Sequence, residues 1–347
     1  MRKAIITPPI TAQLTRQSNF ELLRLLSQFY IVLYHTLAFE VYPYNGHIFL
    51  KAIQLPLHVG VPLFVLISGY FGIRPTSKGL VKLLGIFLVY SIPEIGYKLY
   101  TAESIRESVS ALFFLSNTHF WFIKTYLFLF LAAPMLNLWI EKSSKRQQWY
   151  MLSVLAFVSI YMGTTGGDET MQTGKNLVNF TLWYLIGNQI RTNENSRHIN
   201  AITLVALYVA LNVALVSGYM LFEGGWGAKA IWNLSFAYSS PVLLINAIIL
   251  FLIFGKLDFR SKTVNWLAAS SLAIYLIHSN RPLAVGLRTQ AALLLNSQIA
   301  NVYLLSFACS LVSIGVMCVC ILIDKCLSPI WAGIRTASER VYKKLGF

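Results

Sequence analysis

Long apolar runs recur along the chain from residue 22 to residue 323, each closed by charged or turn-forming residues. A helix needs about 20 apolar residues to cross roughly 30 Å of hydrocarbon, so the runs read as membrane spans. Set against the turn and charge signals, they predict ten spans at 22–42, 52–72, 82–100, 119–139, 148–162, 177–190, 199–218, 231–254, 264–280 and 298–323. The expected fold class is all-α, a polytopic membrane helix bundle of about ten transmembrane helices. The expected organisation is an N-terminal segment at 1–21, one bundle at 22–323 and a basic tail at 324–347. No internal repeat is readable, and the paired Gly- or Pro-broken helices of many inverted-repeat transporters are missing.

Composition agrees with this pattern. The chain is 56% hydrophobic and only 12% charged, with a mean hydropathy of +0.61, whereas soluble domains carry about 25% charged residues. A soluble globular enzyme, a disordered chain and an all-β fold are excluded. The segment Met1 to Ser18 carries Arg2, Lys3 and Arg16 but no apolar core followed by a small-residue cleavage site, so the first span is expected to be a retained anchor. Cys309, Cys318, Cys320 and Cys326 all fall in or just after the last apolar stretch. They read as packing or lipid-facing residues, with neither disulfide framework nor zinc spacing. Walker A, GxGxxG and HExxH sequences are absent, which removes support for nucleotide hydrolysis and zincin chemistry.

Charge sets the orientation. Ten spans put both termini on one side, and that side receives 20 of the 28 Lys and Arg residues, a net +14 against +1 opposite. By the positive-inside rule both termini are expected to be cytoplasmic. The same charge would attract an anionic cytosolic substrate or anionic lipid.

Ionisable residues inside spans are costly and mark sites or pathways. Arg24 and His35 in the first span are 11 residues apart, three helical turns, so they share one face about 16 Å apart along the axis. Arg24 falls at the inner interface and His35 near or beyond mid-membrane. Glu21, three residues before Arg24, can pair with it. Arg24 as a snorkelling anchor and His35 as a packing histidine are the structural alternatives. His58, His119 and His278 also fall toward the outer side, while His47 and His198 lie in loops. This distribution suggests proton-transfer chemistry toward the outer leaflet and an anion grip toward the cytosol. No metal is expected, since neither Cys nor paired acids accompany the histidines.

These residues resemble a known family. Asn19-Phe20-Glu21-Leu22-Leu23-Arg24 with His35 is similar to the opening motif of the acyltransferase family 3 membrane proteins. Val61-Pro-Leu-Phe-Val-Leu-Ile-Ser68-Gly69-Tyr70, His119-Phe-Trp121-Phe-Ile and Ser270-Ser-Leu-Ala-Ile-Tyr275-Leu-Ile-His278 resemble later motifs, in order, over residues 19–280. The resemblance implies transfer of an acetyl group from cytosolic acetyl-CoA to a hydroxyl of an envelope carbohydrate or its lipid-linked precursor. The implied setting is the bacterial cytoplasmic membrane, with membrane lipids and that carbohydrate as partners and no nucleic acid. His35 would be the general base or transient acyl acceptor, with Arg24 and Glu21 beside it in the catalytic set. Arg24, Arg74, Lys78 and Lys82 would hold the donor's phosphates. Ser68, His119, Trp121, Tyr275 and His278 would contact substrate; Trp183 is a further aromatic candidate, although interfacial belts also explain Trp and Tyr. The chain departs from the family at the Arg-x-x-Arg pair many members carry after Ser-Gly, because Gly85 stands where a second Arg would be. It also shows no appended soluble esterase-like domain, so the bundle is expected to perform the transfer alone. A transporter or flippase for an envelope lipid or sugar, and a non-catalytic scaffold, remain the other function classes.

Overall fold

Polar residues decide where the first helix begins. The computed structural model describes residues 17–102, 104–113, 120–165, 172–193, 199–280, 286–333 and 336. Helix α1 (Ser18–His35) starts four residues before the apolar run that predicted it. Ser18 and Asn19 are buried there because each finds a partner. The Ser261 amide donates to Ser18 Oγ at 2.8 Å, and Asn19 Nδ2 donates to the Phe254 carbonyl at 3.0 Å. Next to them Phe20 packs among Tyr70, Phe71 and Phe251, with ring centroids 4.9, 5.4 and 5.0 Å away. This aromatic cluster fixes one end of α1.

The chain continues through a π-helical segment at Thr36–Val41, α2 (Tyr42–Asn45), α3 (Ile48–Ala52), a 3₁₀ turn at Leu55–Val59 and α4 (Gly60–Phe71). Then come α5 (Ser77–Tyr100), α6 (Ile105–Leu112), α7 (Trp121–Lys142) and α8 (Lys145–Val158), which runs on as a π-helical segment, Ser159–Thr165. The rest is α9 (Leu177–Thr192), α10 (Ala201–Leu221), α11 (Trp226–Phe236), α12 (Pro241–Gly255), α13 (Lys262–Ala268), α14 (Ser271–His278), α15 (Gly286–Gln298) and α16 (Val302–Cys326). No strand occurs among the described residues.

Six of these stretches are long and apolar enough to cross a membrane: 18–45, 48–71, 77–100, 121–142, 201–221 and 302–326. Counted as one span, the pair α11 and α12, bent by 50° at its break, brings the number to seven. Among the described residues each of the ten predicted spans falls mostly on helix, but the remaining three do not meet the same test. The segment at 145–165 opens on Lys145, Arg146, Gln147 and Gln148, and α9 is 16 residues with Asn179, Asn188 and Gln189 buried in it. Two of these polar residues meet between the helices: Gln189 Nε2 donates to Gln148 Oε1 at 2.6 Å. The third, 264–280, is divided between α13 and α14. At the break Ser271 Oγ donates to the Ala268 carbonyl, and Ser270 Oγ donates to Asp324, which also accepts from Tyr90 and Trp331.

Helix α1 is the hub, touching α4, α12, α13, α14 and α16. The periphery is apolar and open. On α10, Ile202, Val205, Leu207, Val209 and Val213 all point outward, the surface expected against lipid. Cys309 and Cys320 are buried and Cys318 and Cys326 exposed, all four as free thiols.

Two glycines set the closest helix crossing. A Cβ at Gly69 of α4 would lie 2.0 Å from the Tyr184 carbonyl oxygen of α9, and one at Gly187 of α9 would lie 2.3 Å from the Leu66 carbonyl oxygen of α4. The backbones touch because neither residue has a side chain. Just beyond this crossing, Tyr184 OH accepts from the Ile73 amide at 3.0 Å and donates to Asn137 Oδ1 at 2.6 Å, while Asn137 Nδ2 donates to the Ile73 carbonyl at 2.7 Å. The loop after α4, which carries Arg74, is thereby tied to α7 and α9. Gly69→Ala should force α4 and α9 apart and lower the thermal unfolding midpoint in detergent, an overpacking cost of about 1–3 kcal/mol or more. Gly96→Ala, where a Cβ meets nothing within 4 Å, should leave the midpoint unchanged or raise it.

Candidate active site

Two cavities lie along α1, one at each end. The first, about 470 Å³, is basic: Glu21, Arg24, Arg74 and Lys82 line it together with Gln28, Ser68, Phe122, Tyr126 and Tyr275. Arg24 Nη1 donates to Glu21 Oε1 at 2.7 Å, the three-residue pairing expected from the sequence. Glu21 is buried and Arg24 is partly exposed, so the carboxylate orients the guanidinium from behind. Arg74 and Lys82 are exposed. Lys78 sits in the first turn of α5 without lining this cavity. Ser68 Oγ donates to the Phe64 carbonyl at 2.9 Å and lies 3.1 Å from Tyr126 OH. Gln28, one turn beyond Arg24, is buried against the cavity, and its Oε1 has no hydrogen-bond partner among the described residues.

The second cavity, about 510 Å³, holds His35, His58, Lys175, Arg288 and Glu40 within walls of Tyr34, Phe39, Trp121, Phe236 and Tyr238. Tyr275 lines this cavity as well as the basic one. Its ring lies 5.5 Å from Phe122 of the basic cavity. A thin wall built around one tyrosine therefore separates a charged chamber from an aromatic one.

His35 Nδ1 lies 3.0 Å from His278 Nε2. The tautomers follow from the next bond along. His278 Nδ1 is 2.6 Å from the Ile274 carbonyl oxygen, which can only accept, so Nδ1 carries the proton. In neutral His278, Nε2 is then the acceptor, and His35 must donate to it from Nδ1. The lone pair of neutral His35 is left on Nε2. Ser279 Oγ also lies 3.2 Å from His278 Nε2. His278 itself is buried behind His35.

A buried ion pair frames the two histidines. Arg288 Nη2 donates to Glu40 Oε1 at 3.0 Å and Nη1 donates to the His278 carbonyl at 2.8 Å; Thr289 Oγ1 also hydrogen-bonds Glu40. Glu40 belongs to the π-helical segment directly after His35. Single-turn π segments inside helices change which face the following side chains occupy and often occur at functional sites. Here the Arg288 fork couples the α1 end that bears His35 to the α14 end that bears His278.

The structure thus brings Glu21, Arg24, Ser68, Arg74 and Lys82 to one cavity, His35 and Trp121 to the other, and Tyr275 to both. His119 lies outside the described residues. Trp183 is packed in the core and lines neither cavity. Sequence reasoning missed Gln28, Glu40, Lys175 and Arg288. Glu40, Lys175 and Arg288 entered it only as outer charges; an acid inside the predicted span 22–42 was the available signal.

A family model described as an acyltransferase domain, that of acyltransferase family 3, matches residues 17–324. No curated protein and no solved structure matches the chain. The matched stretch contains both cavities and nearly all the described residues, and with that coverage the chain belongs to acyltransferase family 3, a membrane acyltransferase.

Proposed function

We propose that the protein is an O-acetyltransferase that uses acetyl-CoA from the cytoplasmic side of a bacterial plasma membrane and acetylates a hydroxyl of an envelope carbohydrate. The observation that carries this reading is the pair of cavities meeting at Tyr275, basic on one side and histidine-containing on the other. CoA carries several phosphate charges and a long, thin pantetheine arm. Arg74, Lys82 and Arg24 suit the phosphates, and their guanidinium and ammonium donors make charge-assisted bonds. The buried amide of Gln28, between Arg24 and His35 on α1, suits an amide of the arm. The thioester then arrives at the Tyr275 wall, with His35 beyond it.

The chemistry needs one base. His35 Nε2 takes the proton of the acceptor hydroxyl as the oxygen attacks the thioester carbonyl carbon. The C–S bond breaks, the CoA thiolate leaves, and the proton passes from His35 to the thiolate, giving the acetyl ester and CoA thiol. His278 Nε2 accepts from His35 Nδ1–H throughout, which holds the ring and disperses the imidazolium charge; the Arg288–Glu40 pair holds His278 in turn. Aromatic walls suit the faces of a sugar ring.

Support for ten crossings with both termini inside comes from the positions of the helix ends. Arg24, Arg74 and Lys82 meet at one end of the bundle, and Lys145 Nζ donates to Thr192 Oγ1, joining the start of α8 to the end of α9. His35, Trp121 and Lys175 meet at the other end.

Topology is tested by labelling in a background from which the exposed Cys318 and Cys326 are removed. Asn45→Cys should react with a membrane-impermeant maleimide added outside intact cells, and Arg146→Cys only after permeabilisation. Reaction of both from the same side would refute the arrangement.

The division of labour along α1 is tested with two variants in detergent or liposomes. Arg24→Lys keeps the charge and loses the fork, so it should raise the acetyl-CoA concentration for half-maximal rate by about 1–3 kcal/mol, roughly 5- to 150-fold. His35→Gln keeps a hydrogen-bonding side chain and loses the base, so it should lower turnover by about 10²-fold or more with little change in acetyl-CoA binding. Equal loss of donor binding in both variants would refute separate roles. Turnover of a glycolipid across the bilayer without CoA release would instead favour a transporter.

A further inference from the structure

Among the described residues, the histidine cavity has one cation with no acid within ion-pair distance. The one carboxylate among the described residues that line it, Glu40, is held by Arg288 at 3.0 Å and by Thr289. Lys175 is the remaining charge. It lies in the segment just before α9, exposed at the cavity rim, and no acid lies within ion-pair distance of it among the described residues. Its Nζ stands 5.2 Å from the centre of the Trp121 ring, and Trp121 packs at 5.4 Å against Tyr238. Partial desolvation of the ammonium at this rim pulls it below the usual lysine pKa.

We propose that Lys175 and Trp121 form a subsite for an anionic sugar, so that the acceptor is an acidic carbohydrate bearing a carboxylate or phosphate beside the hydroxyl to be acetylated. The inference rests on the acetyltransferase reading and narrows its acceptor. A sugar face stacks on Trp121 while its anionic substituent reaches Nζ, and the two contacts together orient the ring toward His35 in the same cavity. The positive field of this chamber also disfavours cationic amino sugars.

The test compares three acceptors with the purified protein in liposomes, reading CoA release: a galacturonic acid oligomer, its carboxyl-reduced neutral counterpart, and that neutral oligomer phosphorylated at O6. The acidic oligomers are expected to exceed the neutral one in kcat/KM by about tenfold, with a preference that shrinks as salt rises. The carboxylate and phosphate arms identify which anion is used. Lys175→Gln should reduce the ratio of acidic to neutral acceptor toward one, and Lys175→Glu should turn the preference toward a glucosamine oligomer. Equal kcat/KM for acidic and neutral oligomers with the unmodified protein would overturn the subsite while leaving the acetyltransferase reading intact. Absence of CoA release with every oligomer would overturn both. The wild-type comparison and its salt dependence stand even if a Lys175 variant does not fold.

Discussion

The hydrogen bond between His35 and His278 is the contact on which the remainder of the site depends, because it decides which nitrogen of His35 can accept a proton. Its direction is imposed from outside the pair. The Ile274 carbonyl fixes the His278 tautomer, and the Arg288–Glu40 ion pair keeps His278 and the end of α1 together. A buried ion pair of this kind adds little to stability compared with an apolar replacement. Removing one partner, however, strands the other charge in a low-dielectric interior. The pair is therefore better understood as a device for position than for stability, linking α1, α14 and α15 at one place.

The second constraint is the close approach of α4 and α9 through Gly69 and Gly187. It carries Ser68 and the Arg74 loop to the basic cavity, with Tyr184 and Asn137 tying that loop down. Stability and function meet at this point. Packing that brings two backbones into contact also shapes the wall of the basic chamber. Tyr275 then separates this chamber from the aromatic one, and it lines both.

Much of this was legible in the chain. The 11-residue spacing places Arg24 and His35 on one stripe whatever surrounds them, because an uninterrupted helix has no other way to arrange them, and α1 is uninterrupted over that interval. The pairing of Glu21 with Arg24 is equally local. Three features could not be read. Glu40 and Arg288 are 248 residues apart, and no periodicity connects them. The break between α13 and α14 depends on Ser270 reaching Asp324, 54 residues away. Gln28 has ordinary surroundings in sequence, and only the cavity beside it distinguishes its amide. Local spacing survives in one dimension, whereas partners supplied by distant helices do not. Span count is an intermediate case: polar residues inside α8 and α9 weaken the apolar signal, although Gln148 and Gln189 satisfy each other.

The most direct measurement is an electron cryomicroscopy structure of the protein with a thioether analogue of acetyl-CoA that cannot be cleaved. The expected result is a donor whose phosphates lie against Arg74 and Lys82, whose arm passes Gln28, and whose carbonyl end reaches the Tyr275 wall within one hydroxyl group's reach of His35 Nε2. A donor bound outside the basic cavity, or one entering from the His35 side, would contradict it.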